Sequence, residues 1–213
     1  MKKKLTVCSL IVDNSGSMYD IKEEMRGSIN ETIKRMKKLD KKGEVKVILD
    51  TRLFNERVYP VVSFTRAAKV KKMKSDDYQV GGVTALFDAL GATIHDLEKK
   101  YLEKEKTNVE IMVYTDGFEN ASQQYGLTQI RELIDSIDTR KGWNFSFIGC
   151  SDETLDMAQD MGVREQSVLY TEKADLSGSM KAMSKVMERR VLGEELCMKT
   201  ELREFDKEYN KES

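Results

Sequence analysis

The sequence predicts an α/β fold: a doubly wound, mostly parallel central sheet with one antiparallel edge strand and helices on both faces. Two observations carry this. Short apolar runs alternate along the chain with longer amphipathic ones, the pattern of strands linked by helical crossovers. One pair of β-rich runs breaks that alternation, because only Asn55-Glu56 separates them and no helix fits between. With 213 residues, one domain with a sizeable core is the natural size class.

Taken in order, the strand-like runs are Leu5–Val12, Val45–Phe54, Val58–Phe64, Val109–Thr115, Phe145–Gly149 and Ser167–Tyr170. The helix-like runs are Ile21–Leu39, Ala85–Lys104, Leu127–Lys141, Asp152–Met161 and Asp175–Leu192. In the first helix Ile21, Met25, Ile29, Ile33, Met36 and Leu39 recur at three and four and form one apolar stripe. Val45–Phe54 and Val58–Phe64 form a hairpin, which makes the second of them antiparallel. Pro60 and Arg57 suit a place at the sheet edge, where a missing N–H and a charge are tolerated.

Composition excludes several classes. Charged residues make up 34% of the chain, yet 36 Lys+Arg nearly cancel 37 Asp+Glu, for a formal net charge of −1. No whole-protein field for nucleic acid or an anionic membrane results. The basic clusters Lys34–Lys42 and Lys69–Lys74 read as solvated faces, since no aromatic residues interleave them. Cys8, Cys150 and Cys197 are odd in number and lack metal or redox spacing; they suit a reducing compartment. Lys2-Lys3-Lys4 before Leu5–Val12 imitates a secretory signal, but the apolar run is short and flows straight into the polar loop described next. The expected location is cytoplasmic, with no membrane partner and a monomer as the favoured state.

Three separated places carry the chemistry. The first apolar run ends in Asp13-Asn14-Ser15-Gly16-Ser17, Thr84 follows the pair Gly81-Gly82, and the run Val109–Tyr114 ends in Thr115-Asp116-Gly117. In a doubly wound sheet, ligands bind beyond the carboxyl ends of the strands where strand order reverses. If the strands ending at Asp13 and Asp116 are neighbours, both carboxylates emerge in that crevice and the Gly81–Thr84 loop closes over them. Asp13, Ser15, Ser17, Thr84 and Asp116 are all hard oxygen donors, suited to Mg²⁺, with Mn²⁺ or Ca²⁺ as further candidates.

This order, DxSxS…T…D, resembles the metal-ion-dependent adhesion site of von Willebrand factor A domains. Gly82-Val83-Thr84-Ala85-Leu86-Phe87-Asp88-Ala89-Leu90 resembles the family's third-ligand loop and the helix after it. Tyr114–Ser122 and Gly142–Gly149 are similar to compact bacterial and phage-type members. The resemblance covers roughly residues 4–192; it implies an A domain over 1–192 with a Rossmann-like sheet, and leaves 193–213 as a C-terminal helical tail. It also implies a docking or assembly module in which an Asp or Glu of a protein partner completes the coordination of the metal. Spacing alone would equally allow a substrate or water there.

The rim of such a site would include Tyr19, Phe118 and Glu119 as partner contacts, with Met18, Phe87 and Tyr125 also near in sequence. Asp20, Glu119 and Asn120 are candidates to orient bound water. His95 is the only histidine and sits in a helical pattern, and no nucleophile elbow, P-loop or dinucleotide fingerprint is present. The chain therefore reads as a non-enzyme. Two alternatives stay open: a metal-dependent hydrolase or phosphotransfer enzyme, and a scaffold that binds through the tail stripe Met198, Leu202, Phe205 and Tyr209.

Overall fold

A computed structural model describes residues 4–104 and 107–194. The tail stripe expected from Met198 to Tyr209 lies outside the described residues. The strands are β1 (Leu5–Asp13), β2 (Lys46–Phe54), β3 (Val58–Arg66), β4 (Thr107–Tyr114), β5 (Trp143–Gly149) and β6 (Val168–Tyr170). The helices are α1 (Lys22–Lys42), α2 (Leu86–Tyr101), α3 (Leu127–Asp138), α4 (Asp152–Asp160) and α5 (Leu176–Leu192), with short 3-10 turns between.

These strands form one sheet in the order β3-β2-β1-β4-β5-β6. Every neighbouring pair is parallel except β2 with β3, the hairpin expected at the edge. Strand order reverses at β1: the chain first moves outward through β2 and β3, then returns to the other side of β1 with β4. The register pairs Val12 with Tyr114, so Asp13 and Asp116 leave adjacent strands at the same end.

Period-two alternation in the central strands feeds two cores. Cys8, Leu10 and Val12 pack with α1 and α5 on one face; Val7 and Ile11 pack with α2, α3 and α4 on the other. The predicted stripe of α1 is buried through Met25, Ile29, Ile33, Met36 and Leu39. Glu23 and Glu24 in its first turn and Lys41 and Lys42 in its last complement the helix dipole. Gly43, at φ 81°, ends the helix in the left-handed conformation that a residue with a Cβ resists.

Alongside these apolar contacts, a buried ion pair ties α5 to the sheet. Arg190 Nη1 donates to Glu110 Oε2 at 3.2 Å, and Asn144 Nδ2 donates to Glu110 Oε1 at 2.8 Å. Burial raises the Glu110 pKa, and the Arg190 charge opposes that rise. Removing one member of such a pair strands the other charge in the core. Arg190→Met is therefore expected to lower stability by about 3 kcal/mol in urea unfolding at neutral pH. Adding Glu110→Gln to Arg190→Met is expected to recover part of that loss.

Candidate metal centre

Three loops meet at the carboxyl end of β1 and β4, and the backbone pins them together. Asn14 N–H donates to Phe54 O at 2.8 Å, Gly16 N–H to Gly82 O at 3.1 Å, and Gly81 N–H to Asn14 O at 2.9 Å. Tyr78, buried, donates its hydroxyl to Asp13 O at 2.7 Å, and Asn14 Nδ2 donates to Gln79 O at 2.6 Å. Gly82 adopts φ 78°, and a Cβ there would also meet the Glu56 carboxylate. Gly82, two residues before Thr84, thus has a local reason to be glycine. Thr84 itself is clamped to the third loop: its N–H donates to Asn120 Oδ1 at 2.9 Å, and Asn120 N–H donates to Thr84 O at 3.0 Å.

Within this frame the five candidate ligand residues converge. Ser17 Oγ donates to Asp116 Oδ1 at 2.6 Å and lies 3.0 Å from Ser15 Oγ. Thr84 Oγ1, Asp13 Oδ2 and Ser17 Oγ lie 3.2, 3.9 and 4.0 Å from the position a Cβ would take at Gly117. Oxygens of the first two loops therefore line one small space that Gly117 of the third keeps open, and Asp116 Oδ1 joins them through its bond from Ser17 Oγ. Among the described residues no group of three or more His, Cys, Asp and Glu is placed to hold a metal. The oxygen set here has two carboxylates and three hydroxyls, which fits a hard cation and not a soft one.

The two carboxylates differ in setting. Asp13 is fully buried. Its Oδ1 accepts from Ser15 N–H at 2.7 Å and its Oδ2 from the Thr115 hydroxyl at 2.6 Å. Burial pushes the Asp13 carboxyl up to about 6; the Thr115 and Ser15 hydrogen bonds oppose the rise and the Asp116 charge adds to it. Asp116, with its side chain 2% exposed, forms an ion pair through Oδ2 with Lys173 Nζ at 2.9 Å. Lys173 also donates to Ser17 O. Sequence reasoning missed Lys173, which lies far along the chain beyond β6.

At the rim, Tyr19 is 64% and Phe118 54% exposed. Lys22 Nζ stands 4.9 Å over the Tyr19 ring. Met18 is buried, not presented. Glu119 sits below the rim: its carboxylate accepts from the backbone N–H groups of Phe87, Ala121 and Ser122 and from the Ser122 hydroxyl, at 2.7 to 2.8 Å. It splices the third loop to the start of α2, a role visible only once helix and loop are adjacent. His95 is exposed on α2.

The buried Asp13 makes a pH signature. Its pKa rises from 3.8 unfolded to about 6 folded. As pH increases between those values, the unfolded state ionises first, so the native state loses stability. The loss is complete above the folded pKa, at about 3 kcal/mol for the metal-free protein. Asp13→Asn is thus expected to raise the melting temperature in EDTA at pH 7.5. The gain should shrink below pH 6 and vanish near pH 4, measured by thermal unfolding across pH.

Comparison with known proteins places this geometry in a family. A family model for the von Willebrand factor type A domain matches residues 9–185. No curated protein matches. Among solved structures, the von Willebrand factor domain of the type V pili tip protein Mfa5 from Porphyromonas gingivalis is similar at TM-score 0.67 and 10% identity, covering 92% of this chain and 99% of that one. The ArnB paralog VWA2 from Sulfolobus acidocaldarius is similar at TM-score 0.57 and 12% identity over 85% of this chain and 45% of that one. Proximal thread matrix protein 1 from the mussel byssus, solved with a zinc-occupied MIDAS motif, is similar at TM-score 0.58 and 13% identity over 87% and 46%. The chain thus spans about half the length of the last two. A family match running from inside β1 into α5, over a sheet of this topology, means that the chain belongs to the von Willebrand factor type A domain family.

Proposed function

We propose that the protein is a divalent-metal-dependent protein-binding module, with Asp13, Ser15, Ser17, Thr84 and Asp116 as the metal-holding residues. The observation that carries this reading is the gathering of Asp13, Ser17 and Thr84 oxygens around the space kept open by Gly117, with Ser15 and Asp116 hydrogen-bonded to Ser17 beside it. Mg²⁺ is the cation favoured by the donor set and its cellular abundance, and a cation bound here would offer an open position to a carboxylate oxygen of a partner's Asp or Glu. Asp13 and Asp116 supply the negative charge, the three hydroxyls supply neutral oxygens, and Thr115 orients the Asp13 carboxylate. Tyr19 and Phe118 supply apolar contact area beside the ionic anchor.

Binding is preferred over catalysis because the site's side chains are hydroxyls and carboxylates already tied to one another, while the single histidine stands on the surface of α2. A pilus tip protein among the structural relatives is compatible with an adhesive or docking use. Among the described residues no helix is long and apolar enough to cross a membrane. Cys8 is buried and burial pushes the Cys150 thiol up to about 12, so both fit as unreactive thiols. A cytoplasmic location is part of this reading.

Three expected outcomes test it. Capture from native lysate should recover an acidic-motif partner with wild type in Mg²⁺, and lose it both in EDTA and with Asp13→Ala. Capture indifferent to both would refute the reading. Gly117→Ala should fold normally and abolish calorimetric Mg²⁺ binding, because its methyl enters the ligand space. Tyr19→Ala and Phe118→Ala should each weaken the partner by about tenfold and leave Mg²⁺ affinity unchanged.

A further inference from the structure

Lys173 belongs to a 3-10 turn, Lys173–Asp175, just past β6. Its backbone neighbourhood is anchored: Thr171 N–H donates to Gly149 O at 3.0 Å, and Ser179 Oγ donates to Thr171 Oγ1 at 2.9 Å. From there the side chain crosses the end of β5 and delivers its ammonium to the ligand residues, 2.9 Å from Asp116 Oδ2 and bonded to Ser17 O. The Lys173 side chain remains 37% exposed, so solvent reaches it.

We propose that Lys173 is a tethered cation that competes with the divalent ion for Asp116, so that the metal enters only when the ammonium swings out. This rests on the metal-holding role proposed above and adds its regulation. Asp116 Oδ2 serves as the ammonium's acceptor and belongs to a carboxylate the ion needs. Two cations around one carboxylate in a largely buried site repel each other strongly. A lysine suits the exchange, being a compact charge on a flexible four-carbon stem. With the ammonium seated, the Asp13–Asp116 pair is half neutralised and the protein tolerates the metal-free state. With it displaced, the ammonium stands at the rim, beside the position offered to an acidic partner.

Competition lowers apparent metal affinity by the fraction of molecules in which the site is free. A seat occupied nine times in ten corresponds to about a tenfold weaker apparent Kd. The test is calorimetric Mg²⁺ titration of wild type, Lys173→Met, Lys173→Arg and Lys22→Met at pH 7.5. Lys173→Met is expected to bind about tenfold more tightly. Lys173→Arg, which keeps the charge, and Lys22→Met, which removes a charge from the rim but not from Asp116, should stay near wild type. Independently, amine acylation read by mass spectrometry should show Lys173 of the wild type becoming more reactive at saturating Mg²⁺. Unchanged affinity in Lys173→Met, or Lys173 reactivity indifferent to Mg²⁺, would overturn the proposal while leaving the metal site standing. Absence of Mg²⁺ binding in both wild type and Lys173→Met would overturn the metal site and this proposal together.

Discussion

The parallel pairing of β1 with β4 is the constraint from which the rest of the site follows. It brings Asp13 and Asp116 out of adjacent strands at one end of the sheet, with Asp13 fully buried and Asp116 nearly so. Two carboxylates held this way repel each other and lose hydration, which is why burial raises the Asp13 pKa so far. Each nearby device answers that problem. Thr115 and Ser15 donate to Asp13, Ser17 donates to Asp116, and Lys173 brings a positive charge. A divalent cation would complete the same neutralisation with more charge in less space.

Local stability and binding are thereby set against each other. A loop designed only for stability would carry a neutral amide at position 13 and a side chain at 117 filling the gap. This chain keeps a buried acid and an open space, and invests many backbone hydrogen bonds in holding the surrounding loops. A buried acid and an open space at one end of an otherwise regular sheet are the features on which the proposed binding role rests.

Much of this was legible in the sequence, and for identifiable reasons. The stripe of α1 and the hairpin linker Asn55-Glu56 announce their elements through spacing alone, and the antiparallel edge follows from the short linker. The meeting of Asp13 and Asp116 is conditional, in the sequence, on β1 and β4 being neighbours, and the sheet pairs them. Lys173 was not legible, because its meeting with Asp116 depends on β5 and β6 following β4 across the sheet and on a side chain reaching over β5. The clamping role of Glu119 was hidden for a related reason. Its acceptors face the start of α2, and a residue two or three places from a ligand looks like rim until the helix that consumes its charge is in place. Local patterns reveal elements and loop chemistry; contacts between distant loops need the assembled sheet.

Asp13, Ser15, Ser17, Thr84 and Asp116 are proposed to hold a divalent cation. Crystals grown or soaked with Mn²⁺, measured for anomalous scattering, test this directly. One anomalous peak is expected within bonding reach of oxygens from the Asp13–Ser17 loop, Thr84 and Asp116. A map with no peak there at saturating Mn²⁺, or with its only peak elsewhere on the surface, would contradict the proposal.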